Sequence, residues 1–210
     1  MKAHSFLGEY LAQKLSQHRT EVAPNVSLDH SVWDGSRMLP ELSEELLGVI
    51  HSQLPQADLE MARRVLSVMG ELSGQELSCA HLAHSLGVAP RLALRILGAI
   101  ENAGLWHHVK CFDRENVLVD DKSKGYLLNT GLLCEALGVL SPALVREHRS
   151  WGAIFETFIV QRITPLLPEG ARLFYWRTVH GRAEVDIILL YEGVLFPIEV
   201  KSAQHVSLSN

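Results

Sequence analysis

Apolar residues recur along this chain with two different periods, and the change of period divides it. Up to about residue 165 the spacing is mostly helical. Phe6, Leu7, Tyr10, Leu11 and Leu15 predict a short amphipathic helix over 5–18, and the polar stretch 19–39 predicts a loop. Pro40 opens a helix to about Leu54, with Glu41, Glu44 and Glu45 where the helix dipole favours acids. Asp58 caps the next helix, which runs to about Met69 on Leu59, Ala62, Val65 and Leu66. Leu77 to Leu86 ends at Gly87, and Val88-Ala89-Pro90 leads into a helix from Arg91 to Ala103. Helix, short turn with glycine, helix is the helix-turn-helix pattern. Leu105–Cys111 and Asn116–Asp120, around Asp113-Arg114-Glu115, predict the two strands of a wing. Lys122-Ser123-Lys124-Gly125 reads as a polar linker into a strand at Tyr126 and a helix from Leu132 to Leu140. Ser141-Pro142 caps a long helix that carries Trp151 and Glu156 and breaks at Pro165 and Pro168.

From Leu173 the period falls to two. Leu173–Val179, Ala183–Tyr191 and Val194–Lys201 predict three strands, the last two joined at Glu192-Gly193. A two-residue turn there sets the register by counting outward. Tyr191, Leu189, Ile187 and Val185 then face Val194, Phe196, Ile198 and Val200 on one wholly apolar face. The other face begins apolar and turns ionic, with Asp186 opposite Glu199 and Glu184 opposite Lys201. Directly paired residues have Cβ atoms roughly 4.5–5.5 Å apart. Two carboxylates that close repel unless a cation lies between them or one is protonated. A hard divalent ion with oxygen ligands answers that need, and Mg²⁺ uses one or two carboxylates plus water. A plain ion cluster, with a Glu184–Lys201 salt bridge, answers it equally.

Asp186 followed by Glu199-Val200-Lys201 resembles the D…ExK signature of the PD-(D/E)XK nuclease superfamily. The run G-x-x-F-E-x-F from Gly152, then Tyr-Trp-Arg-Thr, Glu-Val-Asp and Pro-Ile-Glu-Val-Lys, is similar to a narrower group. That group is the nuclease-like C-terminal domain found after the ATPase domain of many prokaryotic AAA+ ATPases. The resemblance covers about residues 60–210. It implies that Asp186 and Glu199 hold Mg²⁺ or Mn²⁺ with the Val200 carbonyl, and that Glu156 reaches the same metal from its helix. It implies that Lys201 orients or deprotonates the attacking water in hydrolysis of a DNA phosphodiester. An AAA+ ATPase, separate or missing, is the implied partner. Asn129 stands where the group usually has Asp, and no G-x-x-x-x-G-K-[ST] phosphate loop occurs.

The expected fold class is therefore α+β. A helical N-terminal segment (1–57) precedes a winged-helix-like domain (58–122) and a nuclease-like domain (123–210). The last is expected as a partial restriction-endonuclease-like core of one helix and a three-stranded mixed sheet, truncated at its C-terminus. The alternative function is a non-catalytic module of this fold that binds DNA or protein.

Composition bounds these readings. A 210-residue chain that is 47% hydrophobic can bury a sizeable core. No apolar run approaches the ~18 residues of a membrane span. Cys79, Cys111 and Cys134 are odd in number and widely spaced, which points to a reduced, cytoplasmic protein without a disulfide framework. The net charge of −5 argues against broad nucleic-acid affinity. Residues 143–210 balance 7 basic against 7 acidic groups, so a bound metal would leave that surface positive. On the second helix of the helix-turn-helix, Arg91 and Arg95 are one turn apart and are its candidates for DNA binding. Apolar residues dominate the rest of that helix, as in a packing element.

Overall fold

Caps and breakers place most helix ends near where the apolar spacing predicts them, but the one long helix expected from Ser141-Pro142 is two, Pro142–Val145 and Trp151–Ile163. The computed structural model describes residues 46–55, 59–112, 123–139, 141–178 and 183–202. The expected helix over 5–18, the loop over 19–39 and the second wing strand at Asn116–Asp120 lie outside the described residues. The fold of the described residues is α+β, with six named helices, six strands and mostly antiparallel strand pairing. Its described residues divide into two units. One takes 46–55, 59–108, 124–139 and 141–165, and the other takes 109–112, 123, 166–178 and 183–202.

The first unit is largely helical. Residues 46–51 are helical and bury Leu46 and Ile50. Helix α1, Leu59–Leu72, buries Ala62, Val65, Leu66 and Met69, the three- and four-residue spacing that makes one apolar stripe. Helix α2, Cys79–Leu86, starts where the Ser78 side chain accepts the His81 N–H and stops at Gly87. Helix α3, Pro90–Asn102, has proline in its first turn, where the missing N–H costs nothing, and buries Ala93, Ile96, Leu97 and Ile100. Helix α4 is Thr130–Ala136. Its N-cap is Asn129, whose Oδ1 accepts the Leu132 N–H at 2.9 Å. Asn and Asp cap about equally well, which accounts for Asn at this position. Short helix α5, Pro142–Val145, precedes α6, Trp151–Ile163.

Strand β1, Gln75–Glu76, pairs antiparallel with β3, Ser123–Leu127, setting Gln75 against Gly125 and Glu76 against Lys124. This corrects the sequence reading of a polar linker at 122–125: Lys124 is in a strand and only 4% exposed. Composition registered its charge but could not show the buried carboxylate that accepts it. Strand β2, Trp106–Cys111, begins in this unit with fully buried Trp106. The Trp106 ring occupies the place a Cβ would take at Gly125.

The second unit is a sheet ordered β2-β4-β5-β6. Strands β4 (Arg172–Arg177), β5 (Glu184–Tyr191) and β6 (Val194–Ile198) form an antiparallel meander. The last part of β2 joins parallel to β4, Lys110 against Phe174 and Cys111 against Tyr175. The mixed sheet thus has four strands in this unit rather than three. Glu192 (φ 51°) and Gly193 (φ 76°) form the two-residue turn, both left-handed as such hairpins require. The predicted register holds from Tyr191–Val194 to Ile187–Ile198, with Pro197 opposite Ile188.

Two departures follow. β6 ends at Ile198, so Glu199, Val200 and Lys201 lie beyond the strand. β5 also carries a bulge against β4: Phe174 faces Ile188, but Trp176 faces Val185. Asp186 and Ile187 together stand opposite Tyr175, which returns Val185 to the side of Ile188. Phe174, Trp176, Val185 and Ile188 accordingly form one buried cluster, with Phe112, Leu190 and Leu195 against it. Strict alternation along β5, as the sequence suggests, would have put Val185 and Ile188 on opposite faces.

A Cβ at residue 125 would overlap the Trp106 ring at Cζ2. Gly125→Ala should therefore destabilise the protein by about 1–3 kcal/mol in urea unfolding, the usual cost of overpacking. Gly98→Ala is the control. Nothing lies within 4 Å of that position, which is inside α3, and it should gain up to about 1 kcal/mol. Equal effects at the two sites would show that the Trp106 contact does not constrain residue 125.

Candidate functional site

The bulge in β5 and the end of β6 bring three of the sequence-predicted residues together. Asp186 is half-buried, and its Oδ2 accepts the backbone N–H of Val200 at 2.8 Å. That bond ties the segment after β6 back to β5 where the strand ladder has ended. Glu199 is exposed, and Lys201 Nζ donates to its Oε1. The Lys201 pKa is raised above the ordinary lysine range. The hydrogen bond to Glu199 is the main cause; partial burial opposes it, and the charges of Glu199 and Asp186 add to it. Lys201 is therefore a cation at neutral pH.

The expected direct pairs, Asp186 with Glu199 and Glu184 with Lys201, are absent from the register, which stops at Ile187–Ile198. Like charges directly opposite destabilise a sheet. The chain avoids that by leaving the strand after Ile198, giving Asp186 a backbone N–H and giving Glu199 the neighbouring lysine. Glu184 stands instead against Arg177 of β4, with Arg177 Nε 3.8 Å from Glu184 Oε2. Arg177 is a residue that the hairpin-only register did not reveal. Its signal was present in Tyr-Trp-Arg-Thr, an exposed basic residue closing an otherwise buried strand.

Glu156 belongs to the other unit, on α6. Its Oε1 accepts Lys124 Nζ at 3.0 Å and the Tyr126 hydroxyl at 2.6 Å. The Lys124 side chain is 5% exposed and that of Glu156 is 14% exposed, so this ion pair is nearly dry. Next to it, Ser73 and Thr157 share a 3.0 Å hydrogen bond, and Ser73 Oγ also accepts the Leu127 N–H. The Thr130 N–H donates to Gln161 Oε1. These bonds fasten α6 to β3 and to the start of α4.

Among the described residues, no three His, Cys, Asp or Glu side chains gather as a metal-binding group. The oxygens on offer near the hairpin end are the Asp186 and Glu199 carboxylates and the Val200 carbonyl. That all-oxygen set suits Mg²⁺ or Mn²⁺, which take few protein ligands and keep several waters.

Arg91 and Arg95 are both exposed on α3, and Leu94 between them is 49% exposed. Arg95 Nε donates to Gln53 Oε1 at 3.2 Å. Cys79, His81 and His84 are exposed on α2. His107 has a lowered pKa, chiefly through burial and then through the charge of His108, with Glu101 opposing, as for a packed imidazole.

The family model of a domain of unknown function, DUF4143, matches residues 151–210. That of a second domain of unknown function, DUF8612, matches residues 50–143. Two uncharacterized proteins, from Mycobacterium bovis and Mycobacterium tuberculosis, are each 29% identical over 184 residues, or 86% of this chain. The chain spans 40% of the length of these curated relatives. No solved structure matches it.

Two expectations follow from the charges. Removing one partner of a buried ion pair strands the other. Lys124→Met should therefore cost about 3–5 kcal/mol in urea unfolding. The double variant Lys124→Met with Glu156→Leu should recover most of that loss. A single variant as stable as wild type would mean that the Lys124–Glu156 pair does not hold α6.

The second concerns alkaline stability. A raised lysine pKa adds stability that is complete below the unfolded value of about 10.4 and is lost as pH rises through the folded value. Glu199→Gln removes the main cause. It should flatten the fall in denaturation midpoint between about pH 9 and 12 by a small amount, since the pair is exposed to solvent. An unchanged alkaline limb would show that Glu199 does not hold the lysine in solution.

Proposed function

We propose that the hairpin end is a phosphodiester-hydrolysing site of the nuclease type, with DNA as its substrate. The observation that carries this reading is that Asp186 accepts the Val200 N–H while Lys201 donates to Glu199, the two residues that flank Val200. Asp186, Glu199 and the Val200 carbonyl would hold a divalent cation. That cation, when bound, supplies Lewis acidity and a water of lowered pKa. Asp186 is pre-set for this work, since its hydrogen bond to Val200 fixes the carboxylate against the segment after β6. Lys201 is held next to the ligand set, where its positive charge can orient an attacking water and offset charge developing on phosphate. We assign Glu156 to the fold instead, because its carboxylate serves Lys124 and Tyr126. An AAA+ ATPase as partner belongs to this reading on the sequence resemblance alone.

A second reading is a non-catalytic module that contacts DNA or protein. The exposed Arg91, Leu94 and Arg95 on α3 favour it, as does the engagement of Glu156 within its own unit.

Thermal melts with and without Mg²⁺ or Mn²⁺, run beside plasmid and single-strand cleavage, separate the two. On the hydrolase reading, metal at a hundred times its Kd stabilises wild type by about 2.7 kcal/mol. Asp186→Asn loses that response, while Lys201→Ala keeps it and loses cleavage. A wild type whose melting ignores both metals would sink the hydrolase reading. A metal response without cleavage of any DNA form would leave the non-catalytic module.

A further inference from the structure

Arg177 is the last residue of β4, in register with Glu184, the first of β5. At 3.8 Å, the Nε to Oε2 distance exceeds the roughly 2.7–3.2 Å of a hydrogen bond, so these two atoms form an ion pair and not a hydrogen bond. The side chains are 38% and 30% exposed. A pair so open contributes at most about 1 kcal/mol, so stability does not explain its presence.

Position explains it better. Glu184 is two residues from Asp186, about 7 Å along the strand. The Thr178 N–H donates to the Ala183 carbonyl at 2.9 Å, and the Ala183 N–H donates to Thr178 Oγ1 at 3.1 Å. These bonds fix the end of β4 on which Arg177 stands. A second cation is thereby mounted on a neighbouring strand, beside the Asp186, Glu199 and Lys201 set. Its planar fork of donors suits a phosphate better than the point charge of a lysine does. The carboxylate it now faces is the group a phosphate would displace.

We propose that Arg177 is a substrate-anchoring residue, whose guanidinium exchanges Glu184 for a non-scissile backbone phosphate of a DNA strand. The proposal rests on the hydrolase reading for the identity of the substrate, but binding needs neither metal nor cleavage.

The test is fluorescence anisotropy of a single-stranded oligodeoxynucleotide in EDTA across a salt series, using the full chain. Arg177→Gln should weaken binding about tenfold. It should also reduce the slope of log affinity against log salt by about 0.7, the contribution of one phosphate on a single strand. Arg177→Lys should restore the slope but only part of the affinity. Glu184→Gln should tighten binding, since it removes the competing carboxylate, and it keeps the test open should Arg177→Gln fold poorly. Wild type that does not bind, an unchanged slope in Arg177→Gln, or unchanged affinity in Glu184→Gln would each overturn the anchor. Binding that follows these expectations in a protein that ignores metal and never cleaves would support the anchor and sink hydrolysis alone.

Discussion

A lysine ammonium in the interior is tolerable only with a carboxylate beside it, and the helical unit is arranged around that constraint. Lys124 enters on β3 and Glu156 on α6, 32 residues apart in the chain, and they meet at 3.0 Å. Taking two charges out of water is expensive, and their attraction offsets that cost only where further hydrogen bonds complete the geometry. Tyr126 supplies one such bond to the same oxygen. Ser73, Thr157 and the Leu127 N–H close a second polar group alongside. The choice of β3 partner, the seat of α6 and the burial of Tyr126 all follow from placing that one ammonium.

The hairpin end handles its charges in the opposite way. Its acids stay near solvent, and no carboxylate faces another directly across the ladder. Leaving the strand after Ile198 frees the Val200 N–H for Asp186, and Lys201 folds back onto Glu199. The chain thus resolves a conflict that the straight register would have created. What results at the hairpin end is a carboxylate tied to the backbone, a second carboxylate paired with a lysine, and that lysine's charge, a combination suited to hard ions and phosphates.

Much of this was legible in the sequence because it depends on local rules. Gly87 and Pro90 mark helix ends through their own backbone preferences, while Ser78 and Asn129 cap helices whose starts the apolar spacing put at Leu77 and Leu132. Glu192-Gly193 set a register that the strands keep for five residue pairs. What stayed hidden depends on partners distant in sequence. Lys124 looked like linker because its charge was visible and its counter-ion was not. The bulge in β5 hid for a similar reason: alternation reads smoothly through Val185, Asp186 and Ile187, and only the pairing with β4 displaces it. Arg177 registered only as one of several basic residues of this region, because the hairpin was counted without the strand that sets it against Glu184.

Pro197 has a consequence for how the molecule meets others of its kind. Among the described residues β6 is the outermost strand of its sheet, with Val194 and Phe196 about half exposed. Such a strand is a template for another chain to add to, the usual route to edge-to-edge aggregation. Proline has no N–H, so its pairing with Ile188 must be one of the ladder's non-hydrogen-bonded positions. The missing donor therefore falls on the outer edge. A strand approaching from outside meets a gap at the fourth of five residues, too short an edge to tolerate the loss. One imino acid at this position discourages the protein from polymerising through the strand that leads into its candidate site.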